Sequence, residues 1–231
     1  PKKIKIDAVK AQKKFVYKYL KDNSRILQIG SSDGYTLSQF KTKKNYTVGV
    51  EPSISSCKFA RSKYVIDKII CSKLENCHKK LSKFNLIILT HVIEHIYNPV
   101  KVLKLLKSKL YEDGIILIEV PYLSNIEYLP NGYLTFEHLN YFDRKSILNT
   151  VRKAGFNLIG KIDVDLKHDV YPIQRLLIKK NKNIQNFNFK SKKNFKRNKI
   201  IMNKYQIKDD NIFKKMIKKI INKTNNKNFI V

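Results

Sequence analysis

Arg25-Ile26-Leu27-Gln28-Ile29-Gly30-Ser31-Ser32-Asp33-Gly34-Tyr35-Thr36-Leu37-Ser38-Gln39-Phe40 is the stretch whose reading decides the fold. It opens on a short apolar run, Ile26, Leu27 and Ile29, which suits a strand buried on both faces. The run stops at Gly30, and a second glycine follows at Gly34. Tyr35, Leu37 and Phe40 then recur at helical spacing. A strand, a glycine-punctuated turn and a helix begin a βαβ unit. The glycines let the backbone approach a ligand closely, and the helix N-terminus adds unpaired N–H groups. The same residues also suit an ordinary βα turn with no ligand.

Glu51 separates these readings. Tyr46-Thr47-Val48-Gly49-Val50 reads as a second strand, which Glu51 ends and Pro52 follows. An acid about twenty residues past the first glycine stands where nucleotide-binding βαβ units place a ribose-binding carboxylate. A carboxylate there accepts hydrogen bonds from both ribose hydroxyls. The dinucleotide fingerprint wants a third glycine at position 35 for tight helix–strand packing. Tyr35 stands there, which argues against NAD.

The 231 residues suffice for one sizeable α/β domain with an appendage. Three cysteines make no disulfide framework and point to a reducing, cytoplasmic setting. No run approaches the roughly eighteen apolar residues of a membrane span, and no secretory signal opens the chain. It starts at Pro1 rather than methionine, which is compatible with a trimmed chain or an upstream module. The net charge of +30 invites a nucleic-acid reading. Lysines accompanied by many asparagines and isoleucines also follow from AT-rich codons, so their distribution says more. Residues 179–231 hold 17 Lys/Arg against 2 Asp/Glu, half of the net charge.

Along the chain, residues 7–21 read as an amphipathic helix with Ala8, Ala11, Phe15, Val16 and Tyr19 near one face. Pro52 and Ser53 suit the start of a helix running to Ala60. Residues 64–70 are a third strand candidate and 72–82 a third helix. Residues 84–90 form a fourth strand, apolar enough to be central. Asn98 and Pro99 start a helix with Val100, Val102, Leu103, Leu105, Leu106 and Leu110 in its apolar set. Glu112-Asp113-Gly114 reads as a turn and 115–120 as a fifth strand. Alternating strands and helices imply a mostly parallel sheet. The aromatic-rich segment 122–142 reads as a loop or lid over the sheet edge. Asp143 N-caps a helix to Ala154, which Gly155 ends. Residues 157–165 and 171–179 look like a strand pair. Beyond 181 there is little periodicity until Ile207, and a basic amphipathic helix fits residues 212–221.

The Gly30–Gly34 loop with Glu51 resembles the first motif of class I S-adenosylmethionine-dependent methyltransferases. That family often has glycine in mid-loop, where this chain has Ser32. Four further stretches are similar to the same family. They are Phe84 to Ile96 with its Glu94-His95 pair, Tyr111 to Pro121, Phe136-Glu137-His138-Leu139-Asn140-Tyr141-Phe142, and Ala154-Gly155-Phe156. The third of these resembles a motif of the branch containing sugar C-methyltransferases. The resemblance covers about residues 1–180 in order. It implies an α/β, Rossmann-like seven-stranded mostly parallel sheet with helices on both faces and an antiparallel last strand. Residues 1–180 would form the methyltransferase domain and 181–231 a basic C-terminal extension, partly disordered or helical.

By the same resemblance, S-adenosylmethionine would meet Gly30, Ser31, Ser32, Asp33, Gly34, Glu51, Pro52, Thr90 and His91. Glu137 and His138 would be catalytic, with the imidazole as general base; pinning of the lid by hydrogen bonds is the other account of that pair. In the sugar branch a tyrosine two residues before the Glu-His pair takes part in catalysis. Thr135 stands at that position, with Tyr133 and Tyr141 nearby. The implied acceptor is a sugar or other small polar metabolite, in surface-glycan synthesis. The charge favours an RNA methyltransferase instead, although the fourth strand ends in Thr90-His91-Val92 and not in the Asn/Asp-Pro-Pro-aromatic turn of adenine-N6 enzymes. A non-catalytic basic module binding nucleic acid or an acidic membrane through 181–231 is a third reading. His91-Val92-Ile93-Glu94-His95 matches an inverted zinc-protease signature, but His91 follows directly from a buried strand, so a loop beside the cofactor is preferred. Cys71, Cys77 and His78 lack a fourth ligand, and no metal site is expected.

Overall fold

The computed structural model describes residues 3–124, 126–131, 133–165, 171–181 and 192–225. Strands β1 (Arg25–Ile29), β2 (Tyr46–Glu51), β3 (Lys68–Cys71), β4 (Phe84–Thr90), β5 (Leu110–Pro121), β6 (Phe156–Asp165) and β7 (Ile173–Lys180) form one sheet in the order β3-β2-β1-β4-β5-β7-β6. β1 to β5 pair in parallel, and β7 runs antiparallel to both neighbours. The expected seven-stranded sheet, with its antiparallel last strand, is what the chain forms.

Helices cover both faces because the central strands are apolar on both. Leu27, Ile87, Leu89, Ile116 and Ile118 pack on Leu103 and Leu106 of α5 (Pro99–Ser108) and on Ile147 and Val151 of α6 (Arg144–Lys153). Ile26, Leu86, Ile88 and Leu117 face the other way. They meet Val16 of α1 (Lys3–Val16), Leu37 of α2 (Tyr35–Ser38) and Ala60 of α3 (Ile54–Lys63). The expected caps hold. Ser53 accepts a bond from the Ser56 N–H, Asn98 from the Lys101 N–H, and Asp143 forms a reciprocal capping box with Ser146.

Four elements differ from expectation, all but the shortened third helix through a partner distant in sequence. In α1 the buried positions are Val9, Gln12 and Val16, while Ala11 is exposed. Gln12 goes inward because its amide donates to Glu119 Oε1 at 2.8 Å. β3 begins only at Lys68, since Tyr64 caps α3 and the Asp67 carboxylate turns back to the Thr47 N–H at 2.7 Å. The helix expected over 72–82 is a single turn, α4 (Leu74–Cys77), continued as a 3-10 turn (His78–Lys80). Glu112, Asp113 and Gly114 lie inside β5, where the register against β4 shifts between Phe84 and Leu86.

The segment after β5 crosses back over the sheet edge. Leu123 N–H donates to Phe142 O at 2.8 Å, and Leu123, Leu129 and Tyr133 form a small core with Tyr205. Tyr205 belongs to α7 (Lys192–Asn225), a single 34-residue helix that begins well before the expected helical stretch. The Tyr205 hydroxyl accepts from Tyr133 N–H at 2.7 Å and donates to Pro130 O at 2.6 Å. Asn198 adds a bond to Asp143 Oδ2 at 3.1 Å. Part of the basic extension is therefore packed on the lid, which its lysine-rich composition did not suggest. The expected disorder of its remainder concerns residues 182–191 and 226–231, outside the described residues.

Tyr205→Phe keeps the ring but leaves a buried Tyr133 N–H without its acceptor. The expected cost is about 1–3 kcal/mol, measured as faster hydrogen exchange at Tyr133 and lower thermal stability.

Candidate active site

Strand order reverses between β1 and β4, and in open α/β sheets the crevice outside the carboxyl ends at such a point is where ligands bind. Gly30 and His91 stand at those two ends. Gly30 has φ +65°, and a Cβ there would come within 2.8 Å of Val92 Cγ2, so only glycine fits this turn. Gly30 and Ser31 N–H both donate to Val50 O, at 2.8 and 3.2 Å, and Gly34 N–H donates to Ser31 O at 2.9 Å. Ser32 adopts φ +50°, which explains why glycine is common at this point of such loops. Asp33 is occupied by Lys5 at 2.6 Å and by Tyr35 N–H at 3.1 Å. Gly34 serves packing, with Ala60 and Ile66 where its side chain would be.

Glu51 is 8% exposed and fastens this loop. Its Oε2 accepts from Ser32 N–H at 2.8 Å and its Oε1 from Ser53 N–H at 2.9 Å. An ionised carboxylate has about four acceptor positions, so each oxygen keeps a lone pair for another donor. Pro52 is exposed beside it. Across the crevice, Thr90 Oγ1 is buried without a hydrogen-bond partner among the described residues. The nine residues expected to hold a cofactor thus surround the carboxyl ends of β1, β2 and β4.

His91 is strained at φ +52°. Its backbone N–H donates to Glu119 O at 2.9 Å. Its ring nitrogens lie 3.3 Å from Glu94 Oε1 and 3.6 Å from Glu119 Oε1. Burial alone would lower the imidazole pKa, but the two carboxylates outweigh it and raise it to about 9. Glu119 receives Gln12 on Oε1 and Arg175 on Oε2, the latter at 2.6 Å, and Arg175 reaches on to Asp163 at 2.6 Å. Burial pushes the Glu119 carboxyl up, yet His91 and Arg175 hold it below its ordinary value.

The expected catalytic pair separates. The Glu137 side chain is exposed, and its backbone carbonyl faces His95 Nδ1 at 2.9 Å. His138 is half-buried, with its ring centroid 4.8 Å from that of His95 and 6.4 Å from that of Tyr171. Burial lowers its pKa, and the neighbouring His95 and His91 add to this against Glu94 and Glu137. Asn140 brings His138 here, since its N–H donates to Glu94 O at 2.9 Å and its side chain to Ile96 O at 2.7 Å. Tyr141 is tied to Thr135, donating to its carbonyl and accepting from its N–H. Ile93–His95 is one 3-10 turn, so the two histidines of the H-x-x-E-H stretch do not share a helix face as a zinc protease requires. Cys57, Cys71 and Cys77 are free thiols.

Sequence reasoning missed Gln12, Glu119, Tyr171 and Arg175. The signal for two of them was present: Glu119 and Arg175 are charges inside runs that otherwise read as apolar strands, and buried charges are seldom left without partners.

A seven-stranded sheet of this order with a glycine-rich first turn and an acid ending the second strand defines a Rossmann-like, nucleotide-binding class of protein. Residues 5–161 match the family described as methyltransferase domain, and the chain belongs to that family. No curated protein matches it. Among solved structures it is similar to a SAM-dependent methyltransferase from Archaeoglobus fulgidus, with a TM-score of 0.61 and 19% identity over 75% of this chain and 94% of that one. It is also similar to the plantazolicin methyltransferase BamL in complex with a triazolic desmethylPZN analog and SAH. That match has a TM-score of 0.61 and 13% identity, covering 78% of this chain and 85% of that one. The [4+2]-cyclase SpnF shares the fold as well, with a TM-score of 0.59 and 12% identity over 74% and 81% of the two chains. The chain is an S-adenosylmethionine-dependent methyltransferase.

The spare lone pairs of Glu51 and the close approach allowed at Gly30 fit the ribose and backbone contacts of that cofactor. Glu51→Ala is expected to weaken binding of S-adenosylmethionine and S-adenosylhomocysteine by about 1.5–3 kcal/mol, the scale for hydrogen bonds to a charged acceptor. Calorimetry checks this, with NAD giving no heat.

Proposed function

We propose that this methyltransferase acts on a small polar acceptor, a sugar or related metabolite, which lies between the β4 end and the lid and is activated through His138. S-adenosylmethionine supplies a methyl group on a positively charged sulfonium. Gly30, Ser31, Ser32, Asp33, Gly34, Glu51, Pro52, Thr90 and His91 would hold it. This chain's residues then orient the acceptor and exclude water.

The observation that carries the reading is the position of His138. The lid fastens it beside Glu94 and Tyr171, and its Nδ1 is buried with no hydrogen-bond partner among the described residues. Residues 1–180 form the catalytic unit in this proposal, and α7 steadies the lid from the extension. Support for a sugar acceptor is the likeness of Phe136 to Phe142 to the sugar C-methyltransferase motif, with Thr135 as its departure. An RNA acceptor is favoured by the net charge of +30. A labelled-methyl assay across sugar nucleotides, small metabolites and RNA at two salt concentrations separates them, because phosphate contacts weaken steeply with salt.

His138→Ala is expected to lower turnover by about 10²-fold or more with cofactor affinity unchanged. Glu137→Ala should stay near the parent rate, since only its backbone is engaged. Full activity per folded molecule of the His138 variant would reduce the residue to a lid fastener.

A further inference from the structure

Glu94, His95 and His138 bring three potential ligand atoms within 4.8 Å of one another. Two segments, the turn after β4 and the lid, supply them. They are joined by the bond from Asn140 N–H to Glu94 O and by His95 Nδ1 against Glu137 O. The second of these contacts fixes Nδ1 as the protonated nitrogen of His95, because a carbonyl can only accept. Nε2 is thereby left with its lone pair, the arrangement of a metal-ligating histidine whose other nitrogen is held by a backbone carbonyl.

Glu94 is the second, independent observation. Its side chain is buried, and neither carboxylate oxygen has a hydrogen-bond partner among the described residues. His91 Nδ1 lies 3.3 Å from Oε1 as an ion-pair contact without hydrogen-bond alignment, which leaves the lone pairs of Oε2 unused. A buried carboxylate is costly unless it is paired and hydrogen-bonded or coordinates a metal. His138 Nδ1 is likewise unpartnered.

We propose that Glu94, His95 and His138 form a site for a divalent transition-metal ion, which binds a hydroxyl of the acceptor and activates it for methylation. This rests on the methyltransferase reading and on placing the acceptor at His138. Two imidazoles and one carboxylate suit manganese, iron or zinc better than magnesium or calcium, which prefer oxygen ligands throughout. A ligand sphere of roughly 2.0–2.2 Å radius is slightly narrower than the present spread, so small side-chain rotations close the set. His95 is exposed, so the site opens to solvent there, and positions beyond the three protein ligands can take acceptor oxygens. A hydroxyl flanked by a second oxygen, as in a vicinal diol, would fill two of them. Coordination lowers the pKa of a bound hydroxyl, whose proton passes to water. The acceptor oxygen then forms the bond to the methyl carbon as the carbon–sulfur bond breaks, its electron pair staying on sulfur. The product is a methyl ether and a neutral thioether.

The test uses the untagged full chain, dialysed against a chelator and titrated by calorimetry with manganese(II) or zinc(II) chloride, and separately with S-adenosylhomocysteine. One ion per chain is expected. His95→Ala, a change at an exposed position, should weaken ion binding at least about tenfold with S-adenosylhomocysteine affinity unchanged. Glu94→Gln should weaken it likewise wherever that variant folds. Absence of ion binding while S-adenosylhomocysteine still binds overturns the metal site and leaves the methyltransferase reading intact, as does undiminished ion binding by the His95 variant. Failure of the parent chain to bind S-adenosylhomocysteine overturns the underlying reading instead.

Discussion

The parallel pairing of β1, β2, β4 and β5 is the constraint on which the rest of the molecule depends. Parallel strands are buried on both faces and need crossovers that return each chain to the same edge. Every loop that can carry chemistry therefore leaves from the carboxyl edge. The Ile29↔Val50 and Ile29↔Leu89 registers set Gly30, Glu51 and Thr90 next to one another before any side chain has made a contact. Glu51 then converts this proximity into a fixed loop by accepting from Ser32 and Ser53 N–H. An alanine there would leave two backbone donors beside a buried edge.

At that edge the protein concentrates charge that a core would normally exclude. Glu119 and Arg175, 1% and 3% exposed, join β5 to β7, while Gln12 brings α1 into the same network. Such a pair gains little stability over a well-packed apolar pair, but removal of one partner strands the other. Its position explains what it achieves: Glu119 Oε1 also meets the ring of His91, and its backbone carbonyl takes the His91 N–H. A strained residue facing the crevice is over-determined from behind by a network reaching into four elements, since Arg175 also holds Asp163 of β6.

The lid obeys a different logic. It has almost no regular structure, so side chains and other segments satisfy its backbone groups: Asn140 reaches Glu94 and Ile96, Tyr141 closes on Thr135, and Tyr205 bridges Tyr133 and Pro130. The last of these comes from a helix rich in lysine and asparagine. One buried tyrosine anchors a segment that composition alone assigns to solvent. Among the described residues, no helix is long and apolar enough to cross a membrane.

Local order in the sequence determined a great deal. The apolar run Leu86-Ile87-Ile88-Leu89 in β4, glycine at 30 and 34, the acid at 51, and the caps at Ser53, Asn98 and Asp143 specify strands, turns and helix starts by short-range sterics and hydrogen bonding. The sheet and the turns at its carboxyl edge were legible for that reason. Contacts between residues far apart in the chain were not. Gln12 facing inward, the late start of β3 and the continuous β5 each depend on a partner more than one element away. The separation of Glu137 from His138, the closure of Glu94 on His95 and His138, and the docking of Tyr205 belong to the same class. Periodicity reports which face of an element is apolar, but a polar residue buried by a distant partner looks like a surface residue until the chain is folded. Only the tertiary structure decides which of the buried polar groups are satisfied: Glu119 meets Gln12, His91 and Arg175, while Glu94 receives no hydrogen bond among the described residues.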